Sequence, residues 1–171
     1  LFATGAVRVE MQGGWYAAAR YGVLALVRAS SRVPLEDEEI LLSLSGEYDI
    51  INFQGMEFHV TRLTRMTADD WRSMRLREAV YADLSQLPPL GLRTRRAGDC
   101  MRLPVGRRKL KEILIDDKIP REEREVLPLV ALAGTHEIFW IAGGRRSVLA
   151  PVTASGTDIL RIACVKETIA T

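Results

Sequence analysis

The stretch "LGLRTRRAGDCMRLPVGRRKLKEILIDDKIP", from Leu90 to Pro120, carries the clearest strand and helix patterns of the chain. In its first part, apolar side chains alternate with Arg93 and Arg95. Because alternate residues of a strand point to opposite faces, this spacing predicts a half-buried strand with a cationic outer face. The sequence therefore predicts that the strand starting at Leu90 has a basic exposed face.

The second part of the stretch predicts one conspicuous helix, over about residues 107–118. Its apolar stripe is formed by Leu110, Ile113 and Leu114, which recur at helical spacing. The first turn of this helix would hold three cations, Arg107, Arg108 and Lys109. The helix dipole disfavours cations at that end by roughly 0.3–1 kcal/mol each. The mismatch indicates that an anion docks at the predicted helix start.

The rest of the chain reads mainly as short strands separated by Gly, Pro, Asp and Glu clusters. Residues 65–78 are highly charged and predict either a linker or a short helix capped by Thr67. In "FQGM", Gly55 can take the positive φ of a hairpin turn. The pattern predicts a β-rich α+β fold, with short antiparallel strands in two sheets or a partly open barrel and one conspicuous helix.

Composition limits the classes of protein that the chain can represent. It has 171 residues, of which 47% are hydrophobic and 27% charged, with a net charge of +2. The two cysteines lie far apart, which favours free thiols in a reducing compartment, and we expect a cytoplasmic protein. No apolar run approaches the ~20 residues of a membrane helix, so no membrane partner is expected. The two histidines lack clustered partner ligands, so no metal site is predicted.

The positive charge is concentrated between Gly91 and Lys111, where eight cations less one acid give +7 against +2 for the whole chain. Such a concentration indicates a polyanionic partner, and arginine forks suit phosphate. No aromatic residue lies in the segment, which favours a duplex backbone over unpaired bases. The candidate residues for binding this polyanion are Arg93, Arg95, Arg96, Arg102, Arg107, Arg108, Lys109 and Lys111.

Catalytic chemistry is not predicted for these residues. The sequence has no Gly-rich phosphate loop, no nucleophile elbow and no metal-ligand spacing. Asp116 and Asp117 are adjacent on the predicted helix, so their side chains point about 100° apart and read as a solvated helix end. The charged run "PREERE" is interpreted in the same way. The chain starts at Leu1 rather than at a methionine, and we expect it to be part of a larger protein.

The residues from Leu92 to Val130 resemble the C-terminal domain of tRNA(Ile)-lysidine synthetase. That family shows an "LR-R-R-x-GD-R" stretch, then a glycine, a basic "KKLK" run, "D-x-K-I-P" and "PL". The present sequence has "LRTRRAGD", Gly106, "RKLK", "DKIP" and "PL" in this order, and "EIFWIAGGRR" matches a later "I-W-x-G-R" motif. On this resemblance, residues 1–66 form a β-rich N-terminal part, residues 67–78 a linker or helix, and residues 79–171 the C-terminal-type domain.

The resemblance implies a bacterial ligase that uses ATP to attach lysine to the wobble cytidine of an isoleucine tRNA. Its catalytic, ATP-binding domain precedes the C-terminal region, so no cofactor is expected in this fragment and the fragment alone should be inactive. The C-terminal domain would hold the tRNA body, including the acceptor stem. The alternative is a protein-interaction module that docks on its own catalytic domain or on a second copy in a homodimer.

Overall fold

The computed structural model of the protein describes residues 7–11, 15–20, 23–28, 38–42 and 47–166. Its strands are β1 Val7–Met11, β2 Trp15–Arg20, β3 Val23–Arg28, β4 Ile40–Leu42, β5 Tyr48–Phe53, β6 Met56–Leu63, β7 Ala79–Asp83, β8 Leu90–Arg93, β9 Cys100–Leu103, β10 Gly106–Lys109, β11 Leu129–Leu132, β12 Ile138–Ile141 and β13 Ile159–Lys166. Its helices are α1 Ala68–Arg75, α2 Leu110–Asp116 and α3 Arg121–Val126, with a 3-10 turn at Leu84–Gln86.

The strands form small sheets whose hydrogen-bonded neighbours are all antiparallel. Two sheets have four strands, in the orders β5-β6-β13-β7 and β12-β11-β8-β4. A three-stranded sheet has the order β1-β2-β3, and β9 pairs with β10 in a hairpin. The predicted β-rich α+β class is confirmed, and within the described ranges the arrangement is separate sheets rather than a closed barrel.

The main core lies between the two four-stranded sheets. One sheet contributes Phe58 and Ile162, and the other contributes Leu92 and Trp140, all at 2% exposure or less. Each such side chain stabilises the fold by roughly 1.5–3 kcal/mol on burial. Alternation along the strands brings these residues to one face, so both sheets also carry a second face that needs cover.

Helices cover those second faces. The predicted apolar stripe of α2, with Ile113 and Leu114, packs with Met101 of β9 against Leu129 of β11. On the far side of the other sheet, Met74 of α1 packs near Tyr81, Ile159 and Ala163. The site-bearing elements β9, β10 and α2 are therefore held together by an apolar cluster of their own.

Helix α1 corresponds to the charged segment 65–78, of which the helix alternative is correct. Thr67 forms the expected N-cap: its hydroxyl accepts the Asp70 N–H at 3.2 Å, and the Asp70 carboxylate accepts the Thr67 N–H at 2.9 Å. This reciprocal pair satisfies two N–H groups that the helix cannot bond internally. Strand β13 pairs with β6 and with β7, which flank this segment, and the division of the chain at residues 67–78 stays a prediction.

The turn between β5 and β6 follows the predicted pattern. Phe53 pairs with Met56, so the loop has two residues, and both Gln54 and Gly55 take positive φ angles, 51° and 70°. Two positive φ angles define the turn type that matches the twist of a hairpin. The predicted strand "EILLSLS" is observed over β4 only, and its residues 43–45 lie outside the described residues.

The predicted helix over 107–118 begins later than expected. Residues 106–109 form strand β10, which pairs with β9 around a turn at Pro104 and Val105, and α2 starts only at Leu110. Lys109 is the N-cap residue with an extended backbone, at φ −66° and ψ 135°. Pairing with β9 therefore overrides the helical pattern of "RRK", and the prediction that its cations sit on a helix start is wrong.

Across the part of the chain that the structure describes, no helix combines the length and the apolar character needed to cross a membrane.

Candidate nucleic-acid interface

Arg93 ends strand β8 in the interior of the protein. Its guanidinium donates two hydrogen bonds to Asp99, each of 2.9 Å, and both side chains are 1% exposed. It also donates to the carbonyl oxygens of Thr94 and Thr135, at 2.9 and 3.0 Å. The predicted cationic outer face of this strand is therefore wrong for Arg93, because the sheet is covered on both sides there. The side chain shapes the loop after β8 and is closed to an outside ligand.

Arg95 and Arg96 follow the strand and lie at the surface, each beside an acid that is distant in sequence. Arg95 reaches Glu125 of α3 at 2.8 Å, and Arg96 reaches Glu39 at 3.2 Å. Their side chains are 31% and 30% exposed. The pair of Arg95 with Glu125, whose carboxylate is 60% exposed, contributes about 0–1 kcal/mol, so an incoming phosphate could compete for Arg95. Glu39 is only 13% exposed, so Arg96 is held by a more buried acid.

Arg102 and Arg107 share one face of the β9–β10 hairpin, where they are paired across the two strands. Between them lies Glu137, 2.8 Å from Arg102 and 3.9 Å from Arg107. The Nε of Arg107 also donates to the sulfur of Cys100 at 3.0 Å. The two arginines are 49% and 63% exposed, so a single acid leaves this face with positive charge directed to solvent.

Arg108 points to the other face of the hairpin and folds over α2. Its guanidinium lies 2.8 Å from Asp116 and 3.9 Å from Glu112. Asp117, the residue next to Asp116, accepts Arg145 Nε at 2.9 Å. The interpretation of this pair as a solvated helix end is thus only partly right, because both carboxylates hold arginines.

Lys109 and Lys111 are exposed and make no ion pair within the described part of the chain. Of the eight predicted residues, they keep their charge least compensated. Lys111 also lines a cavity of about 410 Å³ with Arg95, and the remaining lining residues are Arg121, Arg124 and Glu125 of α3. The sequence pattern did not indicate Arg121 and Arg124, since "PREERE" has three acids and only two bases. Only the fold turns the basic side of this helix toward Arg95.

One arginine of the matched motif "EIFWIAGGRR", Arg146, serves the interior. Arg146 donates to the carbonyl oxygens of Ser147, Leu149 and Tyr81, and burial lowers the pKa of its guanidinium. Desolvation disfavours the charged form, and three carbonyl acceptors offset that effect. Burial also raises the pKa of Tyr81, whose hydroxyl donates to Asp70 at 2.9 Å. These contacts hold β7 against the loop after β12.

The eight predicted residues thus form three exposed groups and one buried residue. The groups are Arg95 with Lys111, Arg96 beside Glu39, and the hairpin set Arg102, Arg107, Arg108 and Lys109. Among the described residues, no group of three or more His, Cys, Asp or Glu side chains could hold a metal ion. Chemically, the arrangement offers guanidinium and ammonium donors for anions.

Residues that form this basic surface match a known protein family. A family model described as "TilS substrate C-terminal domain" matches residues 90–152, a range that includes the whole basic segment. Two tRNA(Ile)-lysidine synthases are similar: one from Persephonella marina, 44% identical over 72 residues, and one from Caldanaerobacter subterraneus, 40% identical over 85 residues. These alignments cover 40% and 50% of this chain, and the chain spans about 15% of the length of either relative.

The similarity extends beyond this segment in two other proteins. A bifunctional protein TilS/HprT from Listeria monocytogenes is 29% identical over 149 residues, which covers 74% of this chain and 23% of that protein. The crystal structure of a TilS C-terminal domain superposes with a TM-score of 0.59 at 27% identity. It covers 70% of this chain and 91% of that domain, so nearly the whole of a solved C-terminal domain has its counterpart here.

Proposed function

We propose that this chain, whose residues 90–152 carry a TilS substrate C-terminal domain, is the tRNA-binding C-terminal portion of a tRNA(Ile)-lysidine synthase. The parent enzyme would be an ATP-dependent ligase that acts in the cytoplasm and attaches lysine to the wobble cytidine of an isoleucine tRNA. This portion would grip the body of the tRNA, at the acceptor stem, through backbone phosphates. Its partners would be the tRNA and the catalytic domain of the same enzyme.

One observation carries this proposal: the family match and the concentration of cations coincide. The segment with eight cations and one acid, residues 91–111, falls entirely inside the matched residues 90–152. Seven of its eight basic side chains are at least partly exposed, although five of the seven have an acid within 4 Å. Phosphate contacts supply most of the affinity of sequence-independent RNA binding, and a guanidinium can exchange an exposed carboxylate for a phosphate.

The test is a filter-binding titration of the chain with an isoleucine tRNA across a range of salt concentrations. If about four phosphates are engaged, log affinity should fall with log salt at a slope of about −3 to −4. A duplex RNA of unrelated sequence should compete, because phosphate contacts carry no base information. Failure to bind tRNA at about 50 mM salt, or a slope near zero, contradicts the proposal.

ATP would be bound and used by the catalytic part of the parent enzyme, because no Gly-rich phosphate loop occurs in this sequence. The isolated chain should therefore form no lysidine. A pyrophosphate-release assay with ATP, lysine and tRNA checks this, with a complete synthase as the positive control. Turnover by the purified chain would contradict it.

A second candidate function is docking on the catalytic domain or on a second copy of the chain. It is favoured by a cavity of about 430 Å³ with apolar lining from Leu103, Pro104 and Val105, of which Val105 is 84% exposed. Contiguous apolar surface of this kind can mark a protein contact, although four arginines also line the cavity. Salt separates the two functions, because an apolar contact survives moderate salt while phosphate contacts weaken steeply.

A further inference from the structure

The cavity between the end of β8, helix α2 and helix α3 concentrates like charge without a structural reason. Four of its five lining side chains are cationic, namely Arg95, Lys111, Arg121 and Arg124, and one is acidic, Glu125. Like charges that surround one space repel each other unless an anion lies between them. Of the four cations, only Arg95 has an acid within 4 Å among the described residues, Glu125 at 2.8 Å, so internal ion pairing does not account for their convergence.

Resting on the proposed function, we propose that this cavity is a phosphate-binding site for RNA, in which Arg121 and Arg124 extend the basic segment. The site belongs to α3, which pattern reading assigned to solvent. It would add one phosphate contact that is separate from the hairpin set around Arg102 and Arg107.

The individual contacts suit a phosphate group. Arg124 Nε donates to the carbonyl oxygen of Ile119 at 2.7 Å, which fixes the guanidinium while its two Nη groups have no partner among the described residues. Lys111 and Arg121 are exposed and make no ion pair within the described ranges. A guanidinium that is held by one bond and free at its fork is pre-organised for phosphate oxygens.

The lining excludes other classes of ligand. No aromatic side chain lines the cavity, so a nucleobase would find no stacking surface there. The excess of three cations over acids would also repel a cationic ligand. The ligand would be either an internal phosphodiester of the duplex or the terminal phosphate at the 5′ end of the RNA, and both present the same oxygens.

Glu125 is the competitor for this site. Its carboxylate, 60% exposed, lies 2.8 Å from Arg95 and so occupies one of the four cations. A phosphate entering the cavity would have to displace this carboxylate or share Arg95 with it. Removal of the acid should therefore tighten RNA binding, a change that misfolding cannot imitate.

The experiment compares loss and gain variants of the full chain in tRNA titrations. Lys111→Gln/Arg121→Gln should weaken binding by roughly three- to tenfold and reduce the magnitude of the salt slope by about 1. The matched control is Arg65→Gln/Arg72→Gln, which removes two exposed cations near and on α1.

The gain variant Glu125→Gln should tighten tRNA binding severalfold. Its control Glu122→Gln makes an equal charge change on the same helix and should tighten binding less. If the cavity variants match their controls, the phosphate site is refuted.

Two additional arms identify the phosphate and separate this proposal from the previous one. If the ligand is the terminal phosphate, the unsubstituted chain should bind a duplex RNA with a 5′-phosphate more tightly than the same RNA with a 5′-hydroxyl. The double variant should bind the two forms equally. If the unsubstituted chain binds both forms equally and the double variant binds them more weakly, the ligand is an internal phosphate.

If the unsubstituted chain binds no tRNA, the proposed function fails, and the phosphate site is then tested separately by phosphorus NMR of inorganic phosphate. If the phosphate resonance broadens in the presence of the unsubstituted chain but not of the double variant, the phosphate site is supported. Equal spectra with the two proteins refute the site.

Discussion

Arg93 and Arg107 belong to the same basic segment but have opposite environments. Arg93 is 1% exposed and bonded to Asp99 and two carbonyl oxygens, whereas Arg107, on the hairpin, is 63% exposed and 3.9 Å from its acid. The charge of Arg93 holds the loop after β8 in place, whereas the charge of Arg107 remains at the surface. A count of cations along the sequence therefore overstates the charge that a ligand can meet.

The energetic consequences of the two environments differ as well. Removal of one partner from a buried ion pair leaves an uncompensated charge in the interior, which destabilises by about 3–5 kcal/mol. Loss of an exposed pair changes stability by about 0–1 kcal/mol, because water solvates the partner that remains. Variants of Arg93 should thus report on folding, whereas variants of the hairpin arginines report on binding and, through the Glu137 carboxylate that is 9% exposed, partly on folding.

The largest effect is expected for Asp99→Asn, which leaves the Arg93 guanidinium buried without a counter-charge. The free energy of unfolding should fall by about 3–5 kcal/mol in a denaturant titration. The double variant Arg93→Met/Asp99→Asn should recover part of this loss, because the charge is removed with its partner. A loss below about 1 kcal/mol for the single variant would mean that Arg93 is not isolated from water.

The second effect concerns the hairpin and should appear in binding. Arg102→Gln/Arg107→Gln should weaken tRNA affinity by roughly tenfold, or about 1.4 kcal/mol. The free energy of unfolding should also fall by more than about 1 kcal/mol, because the Glu137 carboxylate, which is 9% exposed, loses both neighbouring cations. Arg65→Gln/Arg72→Gln serves as the charge-matched control in the same titration. Unchanged tRNA affinity would show that these two arginines serve only to pair with Glu137 and do not contact tRNA.

A smaller effect is expected for Arg108→Ser, and its sign decides between two structures of residues 107–109. As a strand residue paired with Asp116, Arg108 should stabilise, so its loss should lower the free energy of unfolding by about 0.2–1 kcal/mol. A helix start would give the opposite sign, because removal of a cation would relieve the dipole conflict. Thermal melts at low salt and at about 1 M salt measure it, and the loss should vanish at high salt.

The smallest change in stability is expected for Lys109→Gln. Lys109 is exposed and makes no ion pair among the described residues, so the free energy of unfolding should move by no more than about 0.5 kcal/mol. Its tRNA affinity should still fall a few fold at low salt, since an uncompensated charge is lost. A clear loss of stability would reveal a structural contact for this ammonium and weaken its assignment to binding.

Local patterns of the sequence predicted most of the regular elements. The β-rich class, the turn at Gly55, the cap at Thr67 and the apolar stripe of α2 all follow from the spacing of neighbouring residues. Backbone geometry imposes those spacings within a few residues, which is why they can be recognised in a single sequence. The motifs from Leu92 to Val130 likewise identified the family to which residues 90–152 are matched.

The tertiary structure alone decided which charges are available. Glu39 and Glu137 reach Arg96 and Arg102 from strand ends outside the basic segment, and β9 converts the expected helix start into a strand. The sequence by itself determined that cations are concentrated and that an apolar stripe follows them. Folding then buried one arginine, paired others and gathered a new basic cavity at α3, because ion pairing depends on distances in space that no local periodicity encodes.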